Sequence, residues 1–207
     1  MESLETLGAL IAAAWANRTD HLVLSRRATQ MQHEATHDGL TGLPNRILLQ
    51  TELEKAIERH VRGLTLLFLD LDGFKAINDS YGHDAGDQAL ISIADRLSGL
   101  VGASGRVARL GGDEFVVLAG GRDKQALEVL ARSIIAAVRE PIDVGPAVVQ
   151  VGTSIGIAVW SDGESSQSLM RRADEAMYEA KQLGKPTGTS IHRFSSGAAN
   201  ANVATKR

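Results

Sequence analysis

Residues 106–119 read RVARLGGDEFVVLA, two apolar runs on either side of Gly111-Gly112-Asp113-Glu114. The runs, 106–110 and 115–119, have the length and residue types of short strands, and the four residues between them suit a hairpin turn. Glycines at 111 and 112 admit positive φ and let a ligand come close to the backbone, although the same pair also serves an ordinary hairpin. Two acids in such a loop repel an anion unless a cation lies between them. The turn therefore points to bound metal.

Upstream, residues 64–69 (LTLLFL) form a near-continuous apolar run, the pattern of a strand covered on both faces. Asp70-Leu71-Asp72 follows at once. If this strand neighbours the hairpin, Asp70, Asp72, Asp113 and Glu114 converge on one edge of a sheet. That is a hard oxygen site suited to Mg²⁺, which takes a few carboxylates together with substrate phosphates, as phosphoryl or nucleotidyl transfer requires. A lone Asp-x-Asp more often marks a solvated strand end, so the pattern by itself is weak. Around this centre, periodicity predicts helices over 44–60, 85–100, 124–139 and 166–183, with strand material at 147–151 and 154–160. Pro44 is placed to open the first of them in its first turn. The order α-β-α-β-β-α-β-β-α predicts an α+β fold, a ferredoxin-like or palm-type sheet of the nucleotide-cyclase kind, flanked by helices that lie mostly on one face.

Residues 1–35 read as a helical extension, with Leu4, Leu7, Ile11 and Trp15 repeating at intervals of three or four. This stripe either packs on its own domain or forms a dimerising, signal-transmitting seam. Residues 195–207, rich in Ser, Gly, Ala and Asn, read as a flexible tail, leaving 36–194 as the main domain. The 207 residues suit one domain with an appendage. With 22 Lys+Arg against 25 Asp+Glu, the net charge of −3 gives no footprint for nucleic acid. The absence of cysteine excludes thiolate chemistry and Cys-ligated metals. The longest early apolar run, 7–15, falls short of the ~20 residues that span a bilayer, so the expectation is a soluble, cytoplasmic chain with no membrane segment.

Four ordered blocks together resemble the GGDEF family of diguanylate cyclases. Residues 109–115 (RLGGDEF) resemble its signature turn, with Gly111, Gly112 and Phe115 in register. Residues 38–46 (DGLTGLPNR) look like its entrance motif, 70–87 (DLDGFKAINDSYGHDAGD) its metal and guanine segment, and 173–181 (ADEAMYEAK) its closing helix. The resemblance runs from about residue 36 to 194. It implies a palm-like fold and condensation of two GTP into cyclic di-GMP and two pyrophosphates, by 3′-hydroxyl attack on an α-phosphorus. Each domain holds one GTP, so catalysis requires a homodimer. By position, Asp70 and Asp113 match metal ligands, the Leu71 carbonyl a backbone ligand, and Glu114 the second indispensable acid, with Mg²⁺ or Mn²⁺ as the cation. Asn78 and Asp87 match the guanine contacts. Phe74, Lys75, Lys181 and Lys185 match the phosphate contacts. His83 and Arg109 are expected to be structural, Arg109 as a brace for the hairpin.

Two departures from the family pattern stand out. Where many members carry an Arg-x-x-Asp product-inhibition motif, this chain has Gly102-Ala103-Ser104-Gly105, so no product-inhibition site of that kind is expected. Where members have Gly-Arg-Asn after the closing helix, this chain has Gly184-Lys185-Pro186, which replaces a guanidinium fork with an ammonium. A second reading is a non-catalytic GTP-binding regulatory module of a larger signalling protein. Residues 191–194 (IHRF) resemble the stretch that leads into a phosphodiesterase domain in tandem proteins, so a sensory or phosphodiesterase domain outside this chain is a candidate partner. A cyclic di-GMP receptor built on the missing inhibition motif is disfavoured.

Overall fold

The computed structural model describes residues 30–184 and 191–195. The expected helical stripe of Leu4, Leu7, Ile11 and Trp15, the tail from 196 onward, and Lys185 and Pro186 lie outside the described residues. The chain divides into two compact units, one ending at His37 and one beginning at Asp38. In the first, residues 30–36 are helical and the His33 and His37 rings stack with centroids 3.8 Å apart. All that follows concerns the second.

Its centre is β1 (Thr65–Asp72), the apolar run read from the sequence. β1 pairs antiparallel with β3 (Glu114–Ala119) on one side and β6 (Gly152–Val159) on the other. β2 (Gly105–Gly111) joins β3 as the hairpin, and β7 (His192–Phe194) adds in parallel to β6, giving the order β2-β3-β1-β6-β7. β4 (Ile142–Asp143) and β5 (Val148–Val149) form a separate small ribbon, so the strand expected over 147–151 is reduced to those two residues, outside the main sheet.

Side chains alternate across a strand, so β1 feeds two cores. Leu67, Leu69 and Leu71 join Phe115, Val117, Ile155 and Ile157 beneath one helical layer. That layer is α2 (Phe74–Tyr81), α3 (His83–Val101) and α4 (Lys124–Arg139). Leu66 and Phe68 join Val116, Leu118 and Ala158 beneath the other, made of α1 (Arg46–Glu58) and α5 (Ser166–Gly184). The expectation of helices mostly on one face is therefore corrected. Both faces are covered, as the unbroken hydrophobicity of β1 required.

Two further corrections concern helix starts. Asn45, not Pro44, opens α1: its Oδ1 accepts from the backbone N–H of Ile47 (2.9 Å) and Leu48 (3.2 Å), satisfying donors that the first turn leaves free. Pro44 stands one residue earlier and its carbonyl accepts from the Arg109 N–H at 2.9 Å, which ties the loop to β2. α2 was not expected. It is short, and it starts directly from β1 through Gly73, whose φ of 85° turns the chain without a side-chain cap. None of the described helices is long and apolar enough to cross a membrane.

α5 lies close on β6 because residue 156 is glycine. A Cβ there would overlap the Ala173 carbonyl oxygen and the Met177 nitrogen and come within 2.8 Å of the Met177 Cα. Backbone cannot swing aside as a side-chain tip can. Gly156→Ala is expected to lower stability by about 1–3 kcal/mol or more, read as a reduced urea midpoint with an unchanged slope.

Candidate functional site

The pairing of β1 with β3 sets Asp70 directly opposite Glu114. Both continue the alternation that points Phe68 and Val116 toward α1 and α5, so the two carboxylates share that face. The hairpin turn brings the third acid close, since the Leu71 N–H donates to the Asp113 carbonyl at 3.2 Å. The Thr153 hydroxyl, fully buried on β6, donates to the Asp70 carbonyl at 3.1 Å and anchors the strand end from the other side. Of the four acids expected together, Asp70 and Glu114 are cross-strand partners, Asp113 lies near enough for its charge to act on Glu114, and Asp72 accepts from the Ser154 hydroxyl on β6 at 3.2 and 3.0 Å.

The turn itself needs both glycines. Gly111 has φ of 137° and Gly112 of 55°, conformations a Cβ would strain, and the register shifts between Arg109 and Gly111. Arg109 holds this geometry as expected. Its Nε and Nη2 donate to the Gly112 carbonyl at 3.1 and 2.8 Å, and its Nη1 donates to Asp38 Oδ1 at 2.8 Å. Asp38 Oδ1 also accepts from the Thr41 N–H and hydroxyl, at 2.9 and 2.7 Å. Burial pushes the Asp38 carboxyl up, but these donors and the guanidinium charge outweigh it and hold its pKa below the usual carboxylate range. The guanidinium thus has its donors committed to the brace.

Lys181 reaches down from α5 and donates to both oxygens of Asp70, the second at 2.8 Å. Burial works against its ammonium, yet the Asp70 hydrogen bond and the charges of Asp70, Asp72 and Asp113 raise its pKa above the ordinary lysine value. Glu114 moves the same way for the opposite reason. Burial and the charges of Asp174, Asp70 and Asp113 push its carboxyl up, with Arg46 only partly offsetting them. Asp174, one of the acids on α5, is raised by burial, Glu175 and Asp70, again against Arg46. Negative charge is in excess here, and among the described residues the cation in contact with Asp70 is the Lys181 ammonium.

That donor chemistry fits a hard divalent cation. Among the described residues no three His, Cys, Asp or Glu side chains are grouped so as to hold an ion by themselves. A metal here would need the Leu71 carbonyl and ligand oxygens beside the carboxylates, the arrangement Mg²⁺ favours. His83 begins α3 exposed, with no metal-like cluster around it.

The guanine candidates, and the phosphate candidates Phe74 and Lys75, lie on the other helical layer, whereas Lys181 is on α5. Gly73 leads from Asp72 straight into Phe74, which is buried, and Lys75, which is exposed; half-buried Asn78 is one turn further along α2. Asp87 is exposed on α3, directly after buried Gly86. Residues 102–104 form a single 3₁₀ turn between α3 and β2 and carry no ionisable side chain. Sequence reading gave no role to Arg46 or Asp174. They line a cleft of about 690 Å³ between α1 and α5 together with Gln50, Thr51, Phe68 and Glu114. The usable signal was spacing, for Asp174 stands seven residues before Lys181, two helical turns along one face.

A carboxyl whose pKa is raised by folding binds its proton more tightly in the folded chain, so its charge costs stability as pH rises through the folded value. Glu114→Gln should therefore raise the melting temperature of the ligand-free chain at pH 7, by on the order of 2 °C. The gain should vanish well below the ordinary glutamate value of 4.5, where both side chains are neutral. Thermal melts across pH test this.

The model of the family described as "Diguanylate cyclase, GGDEF domain" matches residues 35–187. The bifunctional diguanylate cyclase/cyclic di-GMP phosphodiesterase MucR of Pseudomonas aeruginosa is 42% identical over 184 residues, 87% of this chain and 26% of that protein. The diguanylate cyclase TpbB of the same species is 43% identical over 164 residues, 75% of this chain and 37% of that one. A solved structure of the TpbB GGDEF domain superposes with a TM-score of 0.68 at 38% identity, covering 77% of this chain and 94% of that domain. The cyclic di-GMP phosphodiesterase PdeR of Escherichia coli is 37% identical over 169 residues, 81% of this chain and 26% of that protein. The chain thus spans well under half the length of these relatives. From the family match, the shared fold and these identities, the chain belongs to the GGDEF family of diguanylate cyclase domains, the cyclic di-GMP signalling family.

Proposed function

We propose that this chain is a catalytically competent diguanylate cyclase domain that condenses two GTP into cyclic di-GMP and two pyrophosphates. The observation that carries the reading is the strand-end cluster, in which Asp70 stands opposite Glu114, with Asp113 hydrogen-bonded across the turn and Lys181 on the Asp70 carboxylate. Asp70, Asp113 and Glu114, with the Leu71 carbonyl, would hold divalent cations, Mg²⁺ or Mn²⁺. When bound, such cations supply activation of the 3′-hydroxyl and screening of charge on the leaving pyrophosphate. The protein's own contribution is placement. Asn78 and Asp87 take the guanine edge, where a carboxylate accepts from N1–H and the exocyclic amine together and so discriminates against adenine. The first amides of α2 at Phe74 and Lys75, and the Lys181 and Lys185 ammoniums, would take the triphosphate.

Lys181 has two duties in this scheme. Without ligand it neutralises Asp70; with that carboxylate holding a cation, the ammonium would be free to meet the phosphates. Each domain presents one GTP, so two must meet for a 3′-hydroxyl to reach the neighbouring α-phosphorus, and proximity of the half-sites is the control point. With no charged side chain at 102–105, feedback by product through that segment is expected to be weak.

The second reading, a GTP-binding regulatory module without turnover, is favoured by one observation: PdeR, 37% identical over 81% of this chain, is named for phosphodiesterase activity alone. The retained acids weigh against it. Incubating the chain with GTP and Mg²⁺ over a range of protein concentrations, with ATP in parallel, separates the two. Cyclic di-GMP formed from GTP alone, at a rate rising more than linearly with protein, is the expected result. Saturable GTP binding without product supports the module instead. Asp70→Ala and Asp113→Ala should each cut turnover by roughly a hundredfold or more while leaving the far-ultraviolet circular dichroism unchanged.

A further inference from the structure

Gly86 lies in the second turn of α3, a helix interior where alanine is intrinsically the better residue. Its φ is not in the positive range, so backbone conformation does not demand glycine. Space does. A Cβ at 86 would overlap Asn78 Oδ1, come within 2.9 Å of Asn78 Cγ and lie 3.2 Å from Phe74 Cζ. The missing side chain is therefore a notch in α3 into which two side chains of α2 fit. Among the described residues Asn78 Oδ1 is buried in that notch with no hydrogen-bond partner. Packing, rather than a hydrogen bond, therefore sets where the amide sits.

We infer that Gly86 is a positioning residue for nucleotide recognition: its missing Cβ seats the Asn78 amide against α3 next to Asp87, and fixes the Phe74 ring at the start of the phosphate-facing turn. The inference rests on the reading that Asn78 and Asp87 hold the guanine. One small atom thereby controls base and phosphate contacts together, because Asn78 and Phe74 occupy successive turns on one face of α2 and meet α3 at a single point. Substitution at 86 moves both.

The test is a double-mutant cycle of Gly86→Ala and Asn78→Ala in the full chain, read in two ways. Binding uses 3′-deoxy-GTP, which lacks the attacking hydroxyl and cannot be condensed, with 3′-deoxy-ATP to report base choice. Gly86→Ala is expected to weaken 3′-deoxy-GTP about tenfold or more and to narrow the preference over 3′-deoxy-ATP. In the Asn78→Ala background it should cost little further. Thermal melting without nucleotide is the second readout: Gly86→Ala should lower the melting temperature of the parent chain but leave unchanged or raise that of Asn78→Ala, where the collision is gone. Unaltered nucleotide binding by Gly86→Ala, or equal penalties in both backgrounds, overturns the inference. If the parent chain binds no 3′-deoxy-GTP, the guanine-site reading fails and the recognition role with it, while the melting cycle still decides whether Gly86 seats Asn78.

Discussion

The antiparallel pairing of β1 with both of its neighbours is the constraint on which the rest depends. Register in a sheet has a period of two, and a slip of one residue would turn every side chain to the opposite face. Because Leu66 and Phe68 must enter one core and Leu67, Leu69 and Leu71 the other, that slip is forbidden from both sides. Asp70 is thereby held opposite Glu114 by apolar packing several residues away. The acids do not hold themselves together; burial first, and the charges of neighbouring acids beside it, push the Glu114 and Asp174 carboxyls up. A stable sheet carries a destabilising cluster at its end, the usual relation between a scaffold and a charged site.

The signature turn is kept in place by a second device. Arg109 spans from the Gly112 carbonyl to Asp38, and Asp38 is bonded in turn to Thr41 at the bend of the entrance loop. The Arg109 N–H bonds Pro44 as well, so loop and hairpin are joined through backbone and side chain of one residue. The guanidinium suits this task since its planar fork meets a carbonyl and a carboxylate at once. Lys181 does something different with its positive charge. It is a point charge on a flexible stem bonded to the Asp70 carboxylate alone among the described residues, whereas Arg109 is tied to both a carbonyl and a carboxylate.

Much of the site was legible before the structure. The Gly-Gly-Asp-Glu turn, the acids after the apolar strand, and the hairpin role of Arg109 all follow from local chemistry, and local chemistry is what spacing and residue type report. α2 escaped notice because eight residues leave little periodicity, and because its start uses a positive-φ glycine in place of a capping side chain. The capping role of Asn45 was hidden by the stronger cue of the neighbouring proline. Helices were expected mostly on one face although an apolar strand such as β1 needs cover on both; that conflict was present in the sequence, and packing resolved it.

By itself, then, the sequence determined which segments are buried, where the chain must turn, and which side chains carry charge at the strand ends, since hydrophobic period, glycine and acid placement act over a few residues. Only the tertiary structure decided which of those charges meet. That Lys181 lies on Asp70, that Asp174 and Arg46 act on Glu114, and that Gly86 makes room for Asn78 are contacts between residues 8 to 111 positions apart. Such contacts depend on how helices settle on the two faces of a sheet, a choice made by the whole core together and written in no single stretch of chain.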